Sequence, residues 1–414
     1  MPKLRVGIIG AGGRGINSFG HTFTKVHADV AEIAALADPN PVRAQAGLDI
    51  LGIKADIVDN AHDMVKRKDI DIVIVTSPDY LHEEHAVAAL KAGKHVLVDK
   101  PLATSVDGCM RILEAADAAG KILYMGFNLR HHAVVRNLRQ MAQRGEFGDI
   151  FSIIAMEYYN GGRTYHSRWN RLKKFTGGLW LHKGSHDFDV INYIMGGVRP
   201  ARVSCFANVF TFKPERLPFK TRKGVKPGPT CSACPYKKEC PDAYMTADTE
   251  TGGKPRMFGE EAAKVDGYHK NLCMYLSDKD THDQGVAIVE YANGATATHT
   301  ECFATPISNR RYFVDGTLGH GEADLHASKI EFRPRWTKDV KTHEIGQEEG
   351  GHGGADPLMV QNFLDCIRKR AKPIANAADG AWSVAIACAA EMSREKGQVI
   401  EIAKIMDVKS RLLA

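Results

Sequence analysis

Short runs of consecutive apolar residues recur through the first third of the chain, at 4–10, 31–37, 70–75, 95–98 and 122–125. Stretches of helical length, among them 82–92 and 105–119, separate them. Because the runs are continuous rather than alternating, they predict strands buried on both faces, and such strands are parallel and covered by helices. Residues 1–127 are therefore expected to form a doubly wound parallel sheet of the nucleotide-binding kind. After about residue 150 the pattern changes. The runs at 151–159, 202–212, 285–291 and 295–303 are longer and richer in Thr, Val and aromatic residues, and Asn293-Gly294 between the last two predicts a two-residue hairpin turn. Residues 128–414 are expected to be a second α/β domain around an open, mainly antiparallel sheet. An irregular insertion rich in Pro, Gly and Lys interrupts it at 213–282, and amphipathic helical patterns at 357–370 and 380–396 close it.

Composition narrows the class. At roughly 150 residues per domain, 414 residues suggest two or three domains, and 44% apolar, 25% charged and 8% aromatic residues exclude disordered and fibrous proteins. The net charge is +6, and Lys213, Arg216, Lys220, Arg222, Lys223 and Lys226 crowd one stretch against Glu215 alone. That excess is local and lacks interleaved aromatics, so a solvated loop is expected there and a nucleic-acid partner is not. No run of about 18 apolar residues occurs and no signal-peptide pattern follows Met1-Pro2-Lys3, which predicts no membrane segment and a cytoplasmic location.

Several motifs carry chemistry. Gly10-x-Gly12-x-x-Gly15 ends the first predicted strand, where glycines permit a tight turn and close approach of backbone to a pyrophosphate. Asp38 ends the second strand, where a carboxylate binds the adenosine ribose hydroxyls and repels a 2′-phosphate. NAD is thus favoured over NADP, with Arg43 nearby as the residue that favours the opposite choice. The loop 76–82, with Ser77 and His82, follows the next strand and is expected to face the nicotinamide half. Lys100, in Asp99-Lys100-Pro101, stands on the same rim, to polarise a substrate hydroxyl, to sit beside the nicotinamide as a cofactor-binding residue, or as a solvated surface lysine.

His182, His186 and Asp189 stand at i, i+4 and i+7 and would share a helix face. A neutral imidazole near pKa 6.5 can take the proton of a carbinol as its hydride departs, with Asp189 orienting His186. The pair could instead ligate a metal or be structural. Asn128, Arg130, Tyr158, Tyr165, Arg168 and Trp169 are candidates for a sugar pocket. His282-Asp283 precedes a strand, and His352 and Asp356 precede the closing helices, Asp356 as a possible cap.

Nine cysteines in a reducing compartment point to thiols or a metal site before disulfides. Cys231-x-x-Cys234-x5-Cys240, with Cys273 beyond and His269 as a substitute, has the spacing of a closed structural zinc site. An iron–sulfur cluster, free thiols or a disulfide are the alternatives. A metal would supply the order that so polar an insertion cannot draw from a core of its own.

Taken together, the glycine turn, Gly93-Lys94-His95-Val96, Asp99-Lys100-Pro101, Gly145-x-x-Gly148 and Gly177-Gly178-x-x-x-His182-x-Gly184-x-His186-x-x-Asp189 resemble the Gfo/Idh/MocA family of oxidoreductases over nearly the whole chain. The resemblance implies a Rossmann domain, an α/β domain whose open sheet packs in a dimer or tetramer, and NAD(P)-dependent chemistry on a sugar, polyol or related carbinol. It assigns the active-site lysine to Lys100 and the acid/base histidine to His186. The chain departs at His182, where inositol dehydrogenases of the family generally carry aspartate, and at Asp99, where the family usually has glutamate. Three functions follow as expectations: a sugar or glycoside dehydrogenase, redox-assisted glycoside cleavage with NAD recycled in place, or a non-catalytic ligand-sensing regulator.

Overall fold

Six short strands form the first sheet: β1 (Leu4–Ile9), β2 (Ala31–Ala37), β3 (Asp56–Val58), β4 (Ile72–Val75), β5 (His95–Asp99) and β6 (Leu123–Gly126). Their order is β3-β2-β1-β4-β5-β6 and every neighbouring pair is parallel, the doubly wound Rossmann arrangement. All four residues of β4 are buried, as a continuous Ile-Val-Ile-Val run requires when helices cover both faces. The sequence pattern did not reveal β3, an edge strand of only three residues, with Asp56 exposed and Ile57 and Val58 half-buried. The computed structural model describes residues 2–245, 256–346 and 351–413.

The second sheet has nine strands: β7 (Ile150–Tyr158), β8 (Pro200–Asn208), β9 (Gln284–Tyr291), β10 (Thr296–Cys302), β11 (Asn309–Gly316), β12 (Gly319–Asp324), β13 (Lys329–Pro334), β14 (Lys341–Glu344) and β15 (Ile400–Glu401). They follow the order β14-β13-β12-β11-β7-β10-β9-β8-β15, antiparallel throughout except for β7 against β10. The β9–β10 hairpin forms where Asn293-Gly294 predicted it. Its loop has three residues rather than two, because Tyr291 and Ala295 still pair and Gly294 takes φ +84° at the bulge.

One face of this sheet packs against the helices Ser185–Met195 and Ala377–Lys396. The second of these begins three residues before its apolar pattern does, because Asn376 and Asp379 form a reciprocal capping box. It is buried along most of its length and also touches β6 and the helix Val106–Ala119, so it joins the two sheets. The helix Ala355–Lys369 is entered from Gly354, and Asp356 lies in its first turn rather than capping it. Among the described residues, no helix is long and apolar enough to cross a membrane.

The insertion is largely irregular apart from the helix Glu260–Asp266, and residues 246–255 within it lie outside the described ones. Aromatic side chains pack within it and beside it. Phe212, Met274 and Tyr275 form a small buried cluster, Tyr236 stacks on Phe219 at 4.7 Å, and the Tyr236 hydroxyl donates to the Val225 carbonyl at 3.0 Å.

Candidate active site

The loops that leave the carboxyl ends of β1, β2 and β4 open onto one cavity of about 580 Å³. Gly10, Gly12, Gly13, Arg14 and Asp38 line one side of it, and Tyr165, Arg168, Trp169, Asn170 and His182 line the other. Gly10 has φ +96°, and a Cβ there would lie 2.6 Å from the Thr76 carbonyl oxygen. A Cβ at Gly15 would lie 2.1 Å from the Gly10 carbonyl oxygen, whereas at Gly12 it would meet nothing within 4 Å. The turn therefore needs glycine for close packing behind it and leaves room for a phosphate in front. Asp38 is buried beside it, accepting from the Ala11 and Asn40 amides at 2.9 Å each. These residues fit a dinucleotide: glycine backbone for the pyrophosphate and Asp38 for the ribose.

At the far end, Lys100 follows β5 and its ammonium donates to the backbone carbonyl of His182. Burial pushes this lysine down to about 8, against the opposing pull of Asp79 and Asp99. His182 lies in the π-type turn Trp180–Gly184 that leads into the helix Ser185–Met195. Its Nδ1 is 2.6 Å from Asp79 Oδ2 and its Nε2 is 3.1 Å from Asn170 Nδ2, with Tyr165 and Trp169 meeting the ring edge to face. Burial lowers its affinity for a proton, although Asp79 acts in the opposite sense. One turn further on, burial first and the Lys100 charge second hold the His186 imidazole well below its ordinary value. His186 is thus neutral at pH 7, and among the described residues its Nδ1 is buried without a hydrogen-bond partner. Lys100 thus bonds to the backbone of His182 and its charge acts on His186, although neither Lys100 nor His186 lines the 580 Å³ cavity that His182 does.

Two family models cover this architecture. One, the oxidoreductase family with an NAD-binding Rossmann fold, matches residues 4–127, and the C-terminal alpha/beta domain of the same family matches residues 139–402. The chain belongs to the Gfo/Idh/MocA oxidoreductase family. It is 28% identical to YteT of Bacillus subtilis strain 168 over 386 residues, 86% of this chain and 87% of that protein. It is 28% identical over 231 residues to inositol 2-dehydrogenase of Klebsiella pneumoniae strain 342, a match spanning 54% of this chain and 65% of that enzyme. The structure of levoglucosan dehydrogenase with NADH and levoglucosan superposes with a TM-score of 0.74 at 17% identity, covering 97% of this chain and 100% of that one. The WlbA dehydrogenase of Chromobacterium violaceum with NADH and UDP-GlcNAcA gives 0.69 at 20%, covering 96% of each chain. At such identities the two structures share the fold.

In this member of the Gfo/Idh/MocA family several expected site residues lie elsewhere. Asp189 does not orient His186. It is buried and accepts from Arg130 Nη2 at 2.7 Å and Nε at 2.9 Å, because the helix turns its carboxylate toward that guanidinium. Ser77 and His82 do not line the cavity: the Ser77 hydroxyl is 2.9 Å from His85 Nδ1, and the His82 ring bridges the Pro101 and Ser77 carbonyls. His82 thereby clasps the segment that carries Lys100. Asn128 donates to Asp356, and His282, fully buried, pairs with Glu301.

The structure gives no support to the zinc site expected at Cys231, Cys234, Cys240 and Cys273: among the described residues no three His, Cys, Asp or Glu side chains converge to hold a metal ion. The Cys234 sulfur accepts from the Gly228 amide at 3.3 Å.

Sequence reasoning missed Asp79 as the partner of His182, although its place in the loop after β4 put it on the right rim. It also missed Arg14. This residue of the glycine turn donates to Asp99 at 2.9 Å and to Asp356 at 2.9 and 3.0 Å, tying the nucleotide loop to the residue before Lys100 and to the closing helix.

Proposed function

We propose that the chain is an NAD-dependent dehydrogenase that oxidises a hydroxyl carbon of a sugar, polyol or glycoside. The observation that supports this reading is the bond from the Lys100 ammonium to the backbone of His182, a residue that lines the glycine-turn cavity, with the Lys100 charge acting on His186 one turn on. Gly10, Gly12, Gly15 and Asp38 would hold NAD, which supplies the hydride acceptor when bound. Lys100, cationic below about pH 8, would hold the carbinol oxygen and stabilise negative charge on it. The neutral His186 imidazole, already deprotonated at pH 7, would take the hydroxyl proton. Tyr165 and Trp169 offer aromatic faces for a sugar ring, and Arg168 and Asn170 offer hydrogen bonds. Asp189 serves this reading as a structural ion pair.

Screening sugars, polyols and aryl glycosides with NAD, followed at the nicotinamide absorbance band, tests it. His186→Ala should lower turnover by about 10²- to 10⁴-fold while NAD affinity holds. Loss of NAD binding in that variant would show that the histidine had been assigned the wrong role.

The His182–Asp79 pair favours a second reading, redox-assisted glycoside cleavage. Oxidation of a ring hydroxyl acidifies the neighbouring C–H, and expulsion of the glycosidic group then needs another base, which a carboxylate-paired imidazole provides. Release of aglycone without net NADH would select this reading, and stoichiometric NADH would exclude it.

An oligomer built on the open sheet is part of the proposal. Phe206, Ile154 and Ile288 stand on its outward face at 74%, 42% and 43% exposure, a patch that a second copy would cover.

A further inference from the structure

Besides the residues 164–182, the cavity is lined by two segments of different origin: the glycine turn with Asp38, and residues between 257 and 270 of the insertion. The two are fastened together next to Asp38. Asn40, fully buried, donates to the Ala262 carbonyl at 2.8 Å and to Asp266 Oδ2 at 2.9 Å. The Arg43 guanidinium lies between two carboxylates, 3.2 Å from Asp38 Oδ1 and 2.5 Å from Asp266 Oδ2, the latter 223 residues further along the chain. Its Cζ is 5.4 Å from the Phe258 ring centroid and 6.0 Å from that of Tyr268, and these two rings meet edge to face at 5.9 Å.

We propose that this insertion wall is the adenosine half of the cofactor site. Tyr268 presents an aromatic face to the adenine beside Phe258, whose ring the Lys270 ammonium overlies at 4.5 Å, and Asp266 together with Asp38 selects a ribose 2′-hydroxyl over a 2′-phosphate. An arginine just after β2 ordinarily accommodates the 2′-phosphate of NADP. Here both of its terminal nitrogens face carboxylates, so a phosphate would meet two negative charges and a guanidinium already paired. Stacking on aromatic rings is the general means of holding a base. The proposal rests on reading the cavity as a dinucleotide site, and it places part of the cofactor selectivity outside the nucleotide-binding sheet.

Titrating the full-length chain with NADH, NADPH and reduced nicotinamide mononucleotide, which lacks the adenosine, tests it through nicotinamide fluorescence. The unaltered protein should bind NADH roughly 100-fold more tightly than NADPH. Asp266→Asn should narrow that preference by about tenfold. Tyr268→Leu should weaken NADH binding by about tenfold and leave mononucleotide binding unchanged. Equal affinity of the unaltered protein for NADH and NADPH, or variants indistinguishable from it, would overturn the proposal while leaving the dinucleotide site intact. Weaker mononucleotide binding in the variants would also overturn it, since the wall would then act through the whole fold. If the unaltered protein binds no dinucleotide, the dinucleotide reading itself fails.

Discussion

Lys100 and His186 owe their proton affinities to the same cause, removal from water, which disfavours the charged form of each. The consequences for activity differ in sign. His186 loses its proton well below pH 6.5, so the acid limb of kcat/KM for oxidation should lie below that value, with the base ready at neutrality. Lys100 loses its charge as pH rises through about 8, and kcat/KM should fall there because the carbinol oxygen loses its cation. Lys100→Arg keeps a permanent charge and should abolish the alkaline fall, at a plateau lowered by roughly 10- to 100-fold through altered geometry. Steady-state kinetics from about pH 5 to about pH 10 would read both limbs. A rise rather than a fall near pH 8 would mean that the neutral amine of Lys100 acts as the base.

The helix Ser185–Met195 presents His186 toward Phe127, with ring centroids 6.2 Å apart, and sends Asp189 toward Arg130. Spacing of i and i+3 puts two residues near each other on a helix, yet Arg130 decides where the carboxylate goes. Arg130 also donates to Asp379 at 2.9 Å, so Asp189→Ala should destabilise the protein by about 3 kcal/mol, the lower end for breaking a buried pair. Urea unfolding would measure this loss. The pH profile of the folded variant should match that of the unaltered protein, whereas a shifted acid limb would restore Asp189 as the orienting group for His186.

Across the whole molecule, the inward face of the nine-stranded sheet is covered by helices and its outward face carries exposed apolar side chains, Phe206 the most exposed of those named above. Replacing Phe206 and Ile288 with Glu should shift sedimentation toward the monomer while far-ultraviolet circular dichroism stays unchanged. An unaltered sedimentation coefficient would overturn the assignment of this face as an interface between copies. Binding of NADH by the dissociated variant would show that the cofactor cavity is complete within one chain, as its lining from residues 10–270 implies.

Continuous apolar runs and the glycine turn made the first sheet and its cofactor legible, because burial on both faces and backbone approach to a phosphate each demand particular residues at fixed local spacing. The strands β11 to β14 were not legible, and neither were the buried polar groups of β10. His299 and Glu301 occupy inward positions of β10, where alternation predicts apolar residues, and they are tolerated because Glu301 pairs with both His299 and the distant His282. The cysteine spacing alone did not establish a metal site, since spacing states which thiols could meet and not whether they converge on an ion. Which carboxylate serves which histidine was decided by tertiary structure alone. Asp79 reaches His182 from a loop about 100 residues earlier in the chain, and Arg130 draws Asp189 away; a hydrogen bond depends on atoms brought to about 3 Å from each other, which only the packed fold determines.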